Sequence, residues 1–181
     1  MRNYTIAELK TEFKRLNYQW LPFQVVGIRS KENKPNAFDD IIGIIQNDTI
    51  KWYTCTTNAG TYWLLHPENV SGTAVLKCNQ YLDSWALGLH QGKYKALKQI
   101  KPISVWRDNN HNAIAEEKGN IDTGMFGINI HRANEFAVST LVEKWSAGCQ
   151  VLNNPKDFKE FLGTCEKSKL NFFTYSLLNE F

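Results

Sequence analysis

The spacing of apolar positions changes several times along this chain, and each change marks an element. Ile6, Leu9, Phe13 and Leu16 recur at intervals of three and four, a single apolar stripe that predicts a helix from Thr5 to Leu16. Thr5 and Glu8 have the spacing of a capping box, in which each side chain satisfies an amide left free at the helix start. FQVVGIRS (23–30) then alternates and is rich in β-branched residues, which predicts a strand. DIIGIIQ (40–46) and TIKWYTCTT (49–57) predict two more strands around Asn47 and Asp48, with GTYWLL (60–65) and GTAVLK (72–77) as further short ones. LDSWALGLH (82–90) carries mixed signals, and KYKALKQI (93–100) fits either a short helix or a loop and strand. ISVWRD (103–108) predicts a strand that stops at the polar loop DNNHN.

MFGINIHRA (125–133) predicts a strand with Phe126, Ile128 and Ile130 on one side, and Gly127, Asn129 and His131 on the other. PKDFKEFLGTCEKS (155–168) predicts a helix begun by Pro155, with Phe158, Phe161, Leu162 and Cys165 as its buried stripe. NFFTYSLL (171–178) closes the series as a strand. Many short strands and few helices make a β-rich α+β fold, expected as a curved sheet or sandwich. No repeat, low-complexity tract or linker divides it, so residues 1–181 are expected to form one domain with an N-terminal helix at about 5–16.

Composition narrows the function classes. The 181 residues are 43% hydrophobic and 22% charged, which supports a real core and argues against disorder. A formal charge of +3 with no Lys/Arg run longer than two residues is too mild for nucleic acid. No stretch approaches 18 apolar residues, so no membrane span is expected. MRNYTIAELKTEFKRL lacks the apolar centre of a signal peptide, and synthesis in the cytoplasm is expected. Cys55, Cys78, Cys149 and Cys165 are widely spaced, which excludes a dense disulfide framework but leaves room for one bridge.

The candidate chemistry centres on KWSAGCQVLN (144–153). A cysteine attacks as its thiolate and needs help from a histidine, an arginine or oriented amides to do so near neutral pH. His131 lies eighteen positions before Cys149, and Gly148 directly precedes it. A glycine there lets the backbone approach a scissile carbonyl and turn amides toward the developing oxyanion. Ser146 would orient the histidine or donate to substrate. Such a set performs acyl transfer: Cys149 attacks an amide while His131 takes and returns the proton. Set against this, free cysteines are among the most buried residue types, so spacing alone favours a structural thiol.

His131 followed by Ser146-Ala147-Gly148-Cys149 resembles the signature of the L,D-transpeptidase catalytic domain, a histidine ahead of a Ser/Thr-His-Gly-Cys block. The resemblance implies that fold type, with Cys149 as nucleophile, His131 as base, and Ser146 and Gly148 shaping the turn. It also implies that the amides of Gly148 and Cys149 are oxyanion donors and that the substrate is a peptidoglycan stem peptide. The wider run from VGIRS through GLHQGKYKAL, VWRDNN and GINIHRAN to WSAGCQV is similar to small proteins of bacteriophages and prophages that act on the cell wall. Ala147 and Val151 depart from the family pattern, where a histidine and an Arg or Asn stand. Loss of the polar group two residues after the cysteine favours hydrolysis over cross-linking.

On this reading the chain is a cysteine-dependent peptidoglycan hydrolase or transpeptidase, an endolysin-like lysis or wall-penetration protein. It would be made in the host cytoplasm and act on the wall after release or delivery. It would need no cofactor or metal, and a monomer is expected. The alternatives are a non-catalytic wall-binding or virion structural protein on the same fold, and a metal-dependent amidase using His90, His111, His131 and an Asp. Substrate contacts are expected from His90, Trp145, Arg132 and Gln150. His66 and His111 are expected on surface loops, Arg107-Asp108 as a strand-end ion pair, and Thr56 to Gly60 as a hairpin loop.

Overall fold

A computed structural model describes residues 1–181. Its first element is helix α1 (Ile6–Arg15), and the Thr5/Glu8 capping box forms in full. Strands β1 (Phe23–Arg29), β2 (Asp40–Gln46) and β3 (Thr49–Thr56) follow as expected. Asn47 and Asp48 both take positive φ, 49° and 58°, the geometry of a two-residue hairpin turn whose twist matches the strands it joins. The next element corrects the expectation: Thr61–Leu65 is a short helix, α2, not a strand. The Gly60 carbonyl accepts from the amides of Trp63 and Leu64, and Leu64 buries beside Ala59, Val75 and Ala115. Tertiary burial of one aromatic-rich turn overrides its local β preference.

β4 (Thr73–Leu76), β5 (Asn79–His90), β6 (Tyr94–Gln99), β7 (Ile103–Asp108) and β8 (Ile121–Gly124) continue the chain. KYKALKQI is thus a strand, paired antiparallel with β5 so that His90 faces Tyr94. The polar β8 left no period to read. β9 (Ile130–Arg132) and β10 (Gln150–Leu152) are short, α3 spans Pro155–Ser168, and β11 (Phe173–Asn179) ends the fold.

Eight strands close into a mixed barrel in the order β1-β11-β5-β6-β9-β10-β3-β2, with β1/β11 and β9/β10 parallel. A separate sheet, β4-β7-β8, carries one wall of the cleft described below. The expectation of a β-rich fold with a large curved mixed sheet and few helices holds. Helix α3 turns Phe158, Phe161, Leu162 and Cys165 into the main core against Trp85, Leu97, Ile130 and Tyr175. Helix α1 covers a second cluster on the outside of β1 and β2, with Leu9 and Phe13 against Val26, Ile28 and Ile45. No helix is long and apolar enough to cross a membrane.

Candidate active site at the Cys149 cleft

The parallel register of β9 and β10 makes neighbours of two segments twenty residues apart. Gln150 pairs with Ile130 and Val151 with His131, so the residue before β10, Cys149, arrives beside Asn129. The Gln150 amide donates to the Asn129 carbonyl at 2.9 Å. Along such a ladder Cys149 lies two positions from His131 on the adjacent strand, which puts their Cα atoms roughly 8 Å apart. The expected strand Met125–Ala133 is regular only over Ile130–Arg132. Gly127 breaks it with φ of 71°, and the Gln99 side-chain oxygen takes the amides of Phe126 and Ile128 that a strand would otherwise use. The alternation survives nonetheless. Ile128 and Ile130 enter the core, while Asn129 and His131 both reach His90.

Around the thiol, Cys149 Sγ accepts from the Asn129 amide at 3.4 Å and donates to the Gly127 carbonyl at 3.5 Å. Burial pushes the thiol up to about 11, only partly offset by the Asn129 amide. No hydrogen bond joins Sγ to His131, whose Nε2 is buried without any partner. The His131 ring is fixed at its other nitrogen: Nδ1 lies 2.8 Å from the Arg132 carbonyl and 3.1 Å from the Tyr94 hydroxyl. Burial, then the neighbouring His90, push His131 down to about 3. The two imidazoles stack with centroids 3.9 Å apart.

A cleft of about 600 Å³ opens at Cys149, walled by His90, Asn129, Phe126, Arg107, Thr73 and Trp63. Across the histidine pair lies a second cavity of about 570 Å³, lined by His131, Tyr94, Lys93, Lys144 and Trp145. His90 and Gln91 line both. Of the residues expected at the site, Cys149 and His90 therefore share the cleft, and Trp145, 42% exposed, shares the second cavity with His131.

Ser146 is buried and does not reach the histidine. Its hydroxyl donates to the Cys149 carbonyl at 2.8 Å and accepts from the Gly148 amide at 3.1 Å, so it shapes the turn. That bond also withdraws the Gly148 amide from the expected pair of oxyanion donors; the Cys149 amide remains unengaged within the protein. Gln150 points into the barrel, where its amide oxygen accepts from the Tyr175 hydroxyl at 2.9 Å and its nitrogen donates to the Gly148 carbonyl. Arg132 lies outside both cavities, over the Tyr94 ring at 4.1 Å and paired with Glu135. Neither Gln150 nor Arg132 is brought to the cleft, because each follows Cys149 or His131 by one position and strand parity turns it to the opposite face.

Arg107 lines the cleft and pairs with Asp122 on β8 rather than with Asp108, whose carboxylate accepts from the amides of Asn110 and Glu116, so the expected Arg107-Asp108 pair does not form. His66 and His111 lie at the surface, bonded to the α2 carbonyls of Tyr62 and Leu65. Thr56 to Gly60 is a buried strut rather than an exposed hairpin loop. Asp40 accepts from the Thr57 amide and hydroxyl, and the Gly60 amide donates to the Ser146 carbonyl. All four cysteines are free thiols, and no three His, Cys, Asp or Glu side chains converge as a metal site. Tyr94 and Gln99 escaped the sequence reading. Treating residues 82–100 as one hairpin about Gly92 would have set Tyr94 opposite His90. The chain matches no protein-family model, no curated protein and no solved structure.

Proposed function

We propose that this chain is a cysteine acyl-transfer enzyme of the L,D-transpeptidase type that cleaves amide bonds in peptidoglycan stem peptides. In this reading it serves a phage or prophage as a lysis or wall-penetration protein. The observation that carries the chemistry is the β9/β10 register, which sets Cys149 two strand positions from His131, at the wall of a cleft that His90 also lines. The thiol proton leaves for His131 Nε2 as sulfur bonds to the carbonyl carbon. His131 then returns that proton to the leaving amine as the C–N bond breaks, and water repeats the sequence on the thioester.

The two groups are far apart in basicity, at about 11 and about 3. Completing the proton transfer before attack would cost about 11 kcal/mol. A turnover near one per second allows a barrier of about 17 kcal/mol in total. Transfer concerted with C–S bond formation fits that limit better than a resting ion pair, and it requires the thiol to turn from Gly127 toward His131.

A second reading, a non-catalytic wall-binding protein on the same fold, is favoured by the missing Cys149–His131 hydrogen bond and the neutral thiol. Mass spectrometry of purified peptidoglycan digested with wild type and with Cys149→Ala separates the two. Peptide release by wild type alone is expected. Equal release by both would sink the nucleophile, and sedimentation with the wall without any release would favour the binding protein.

A further inference from the structure

The stacked histidines are held in opposite tautomers, and the chain of bonds that fixes them begins at a backbone amide. The Gln99 amide can only donate, and it reaches Asn129 Oδ1 at 3.0 Å. The other end of the Asn129 carboxamide is therefore its NH₂ group, and this faces His90 Nδ1 at 3.0 Å. Nδ1 must accept, so the proton of neutral His90 sits on Nε2. For His131 the logic reverses: the Arg132 carbonyl can only accept, so Nδ1 carries the proton and Nε2 presents a lone pair.

From this geometry we infer that His90 presents its Nε2–H to the Cys149 cleft as a hydrogen-bond donor, stabilising the negative oxygen that forms on the substrate carbonyl. Asn129 is the positioning residue that sets its tautomer. The inference rests on the acyl-transfer reading above and assigns His90 a part in the reaction distinct from that of His131. It supplies a second donor beside the free Cys149 amide, since Ser146 occupies the Gly148 amide. Donors aimed at a developing oxyanion must be in place before the charge appears. His90 meets that condition because it is buried, stacked on His131 and tied to Asn129. Burial and Lys93 both push its basicity down, which keeps the ring neutral and its tautomer single near neutral pH. In the balanced step the C=O π electrons move to oxygen as the S–C bond forms, the thiol proton goes to His131, and His90 keeps its own proton throughout.

Long-range ¹H–¹⁵N correlation spectra of the wild-type protein read both tautomers directly. Expected are a protonated Nε2 and a bare Nδ1 for His90, and the reverse for His131. A bare His90 Nε2 would overturn the inference whether or not the protein is active. Asn129→Asp sets an acceptor opposite His90 Nδ1 and is expected to move a proton onto it; an unchanged Nδ1 signal would remove Asn129 from its positioning role. On peptidoglycan, His90→Phe is expected to lower kcat by about 100-fold with KM nearly constant. His90→Gln, which keeps an acceptor and a donor, should recover about ten-fold of that. Thermal melts of both variants separate a folding defect from a lost donor. Full activity in a folded His90→Phe protein would overturn the role of His90 and leave the Cys149 mechanism standing. Absence of peptide release by wild type would remove that mechanism, while the spectra still decide the tautomers.

Discussion

Gly148 lies against the carbonyl of Ala74: a Cβ at residue 148 would sit 2.5 Å from that oxygen, and φ there is 123°. The glycine before Cys149 thus lets β4 close on the Cys149 turn, a different use from the expected approach to a scissile carbonyl. Gly148→Ala is expected to cost about 2–4 kcal/mol of stability, because a backbone carbonyl cannot move aside as a side-chain tip can. Urea titration measures this; a loss below half a kcal/mol would contradict the contact.

Cys149 should be a slow thiol. With its pKa near 11 the thiolate fraction at pH 7 falls about two orders of magnitude below that of an ordinary cysteine. Iodoacetamide modification followed by peptide mass spectrometry is expected to show slow labelling that accelerates steeply above pH 9. Rapid labelling at pH 7 would mean that the thiol is already activated in the free protein.

Two buried groups should oppose each other in the pH dependence of folding. His131 falls from 6.5 to about 3, so between those values the unfolded chain binds a proton that the folded one refuses. Stability is lost there as pH drops, by up to about 5 kcal/mol. Asp40, held by the amides of Ser30 and Thr57, rises from 3.8 to about 6 through burial. Its contribution is present below pH 4 and lost as pH rises through 6, by about 3 kcal/mol. Between pH 4 and 6 the two slopes oppose. Wild-type urea midpoints are expected to change little across this window, and Asp40→Asn should expose a decline toward acid. A flat profile in that variant would argue against a neutral buried His131.

Tyr175→Phe tests the interior placement of Gln150. The change strands the Gln150 amide oxygen, which is buried and accepts from the Tyr175 hydroxyl. A loss of about 1–3 kcal/mol is expected, by calorimetry or urea. Gln150→Leu should remove most of that difference, because both partners of the bond are then apolar; an additive loss would mean that they do not interact.

The elements with strong periods were legible without coordinates. The capped helix α1, the stripe of α3 and the runs that became β1, β2, β3 and β11 all follow from local spacing and end signals. The fold of GTYWLL was not legible, since its five helical residues hold little more than one turn, too short for a repeat, and the burial of Leu64 decides their conformation. The same limit applies to the site. Residue type and the resemblance marked Cys149 and His131, and residue type alone His90, as able to do chemistry, but strand parity read one segment at a time cannot say which segments pair. Parallel pairing of β9 with β10 brings Cys149 to Asn129, and the β5/β6 hairpin brings His90 and Tyr94 to His131. Hydrogen-bond direction then sets the two tautomers, starting from an amide of Gln99 that lies thirty residues from Asn129. Chemical type belongs to each residue alone, whereas partners, protonation and exposure arise from contacts between distant segments.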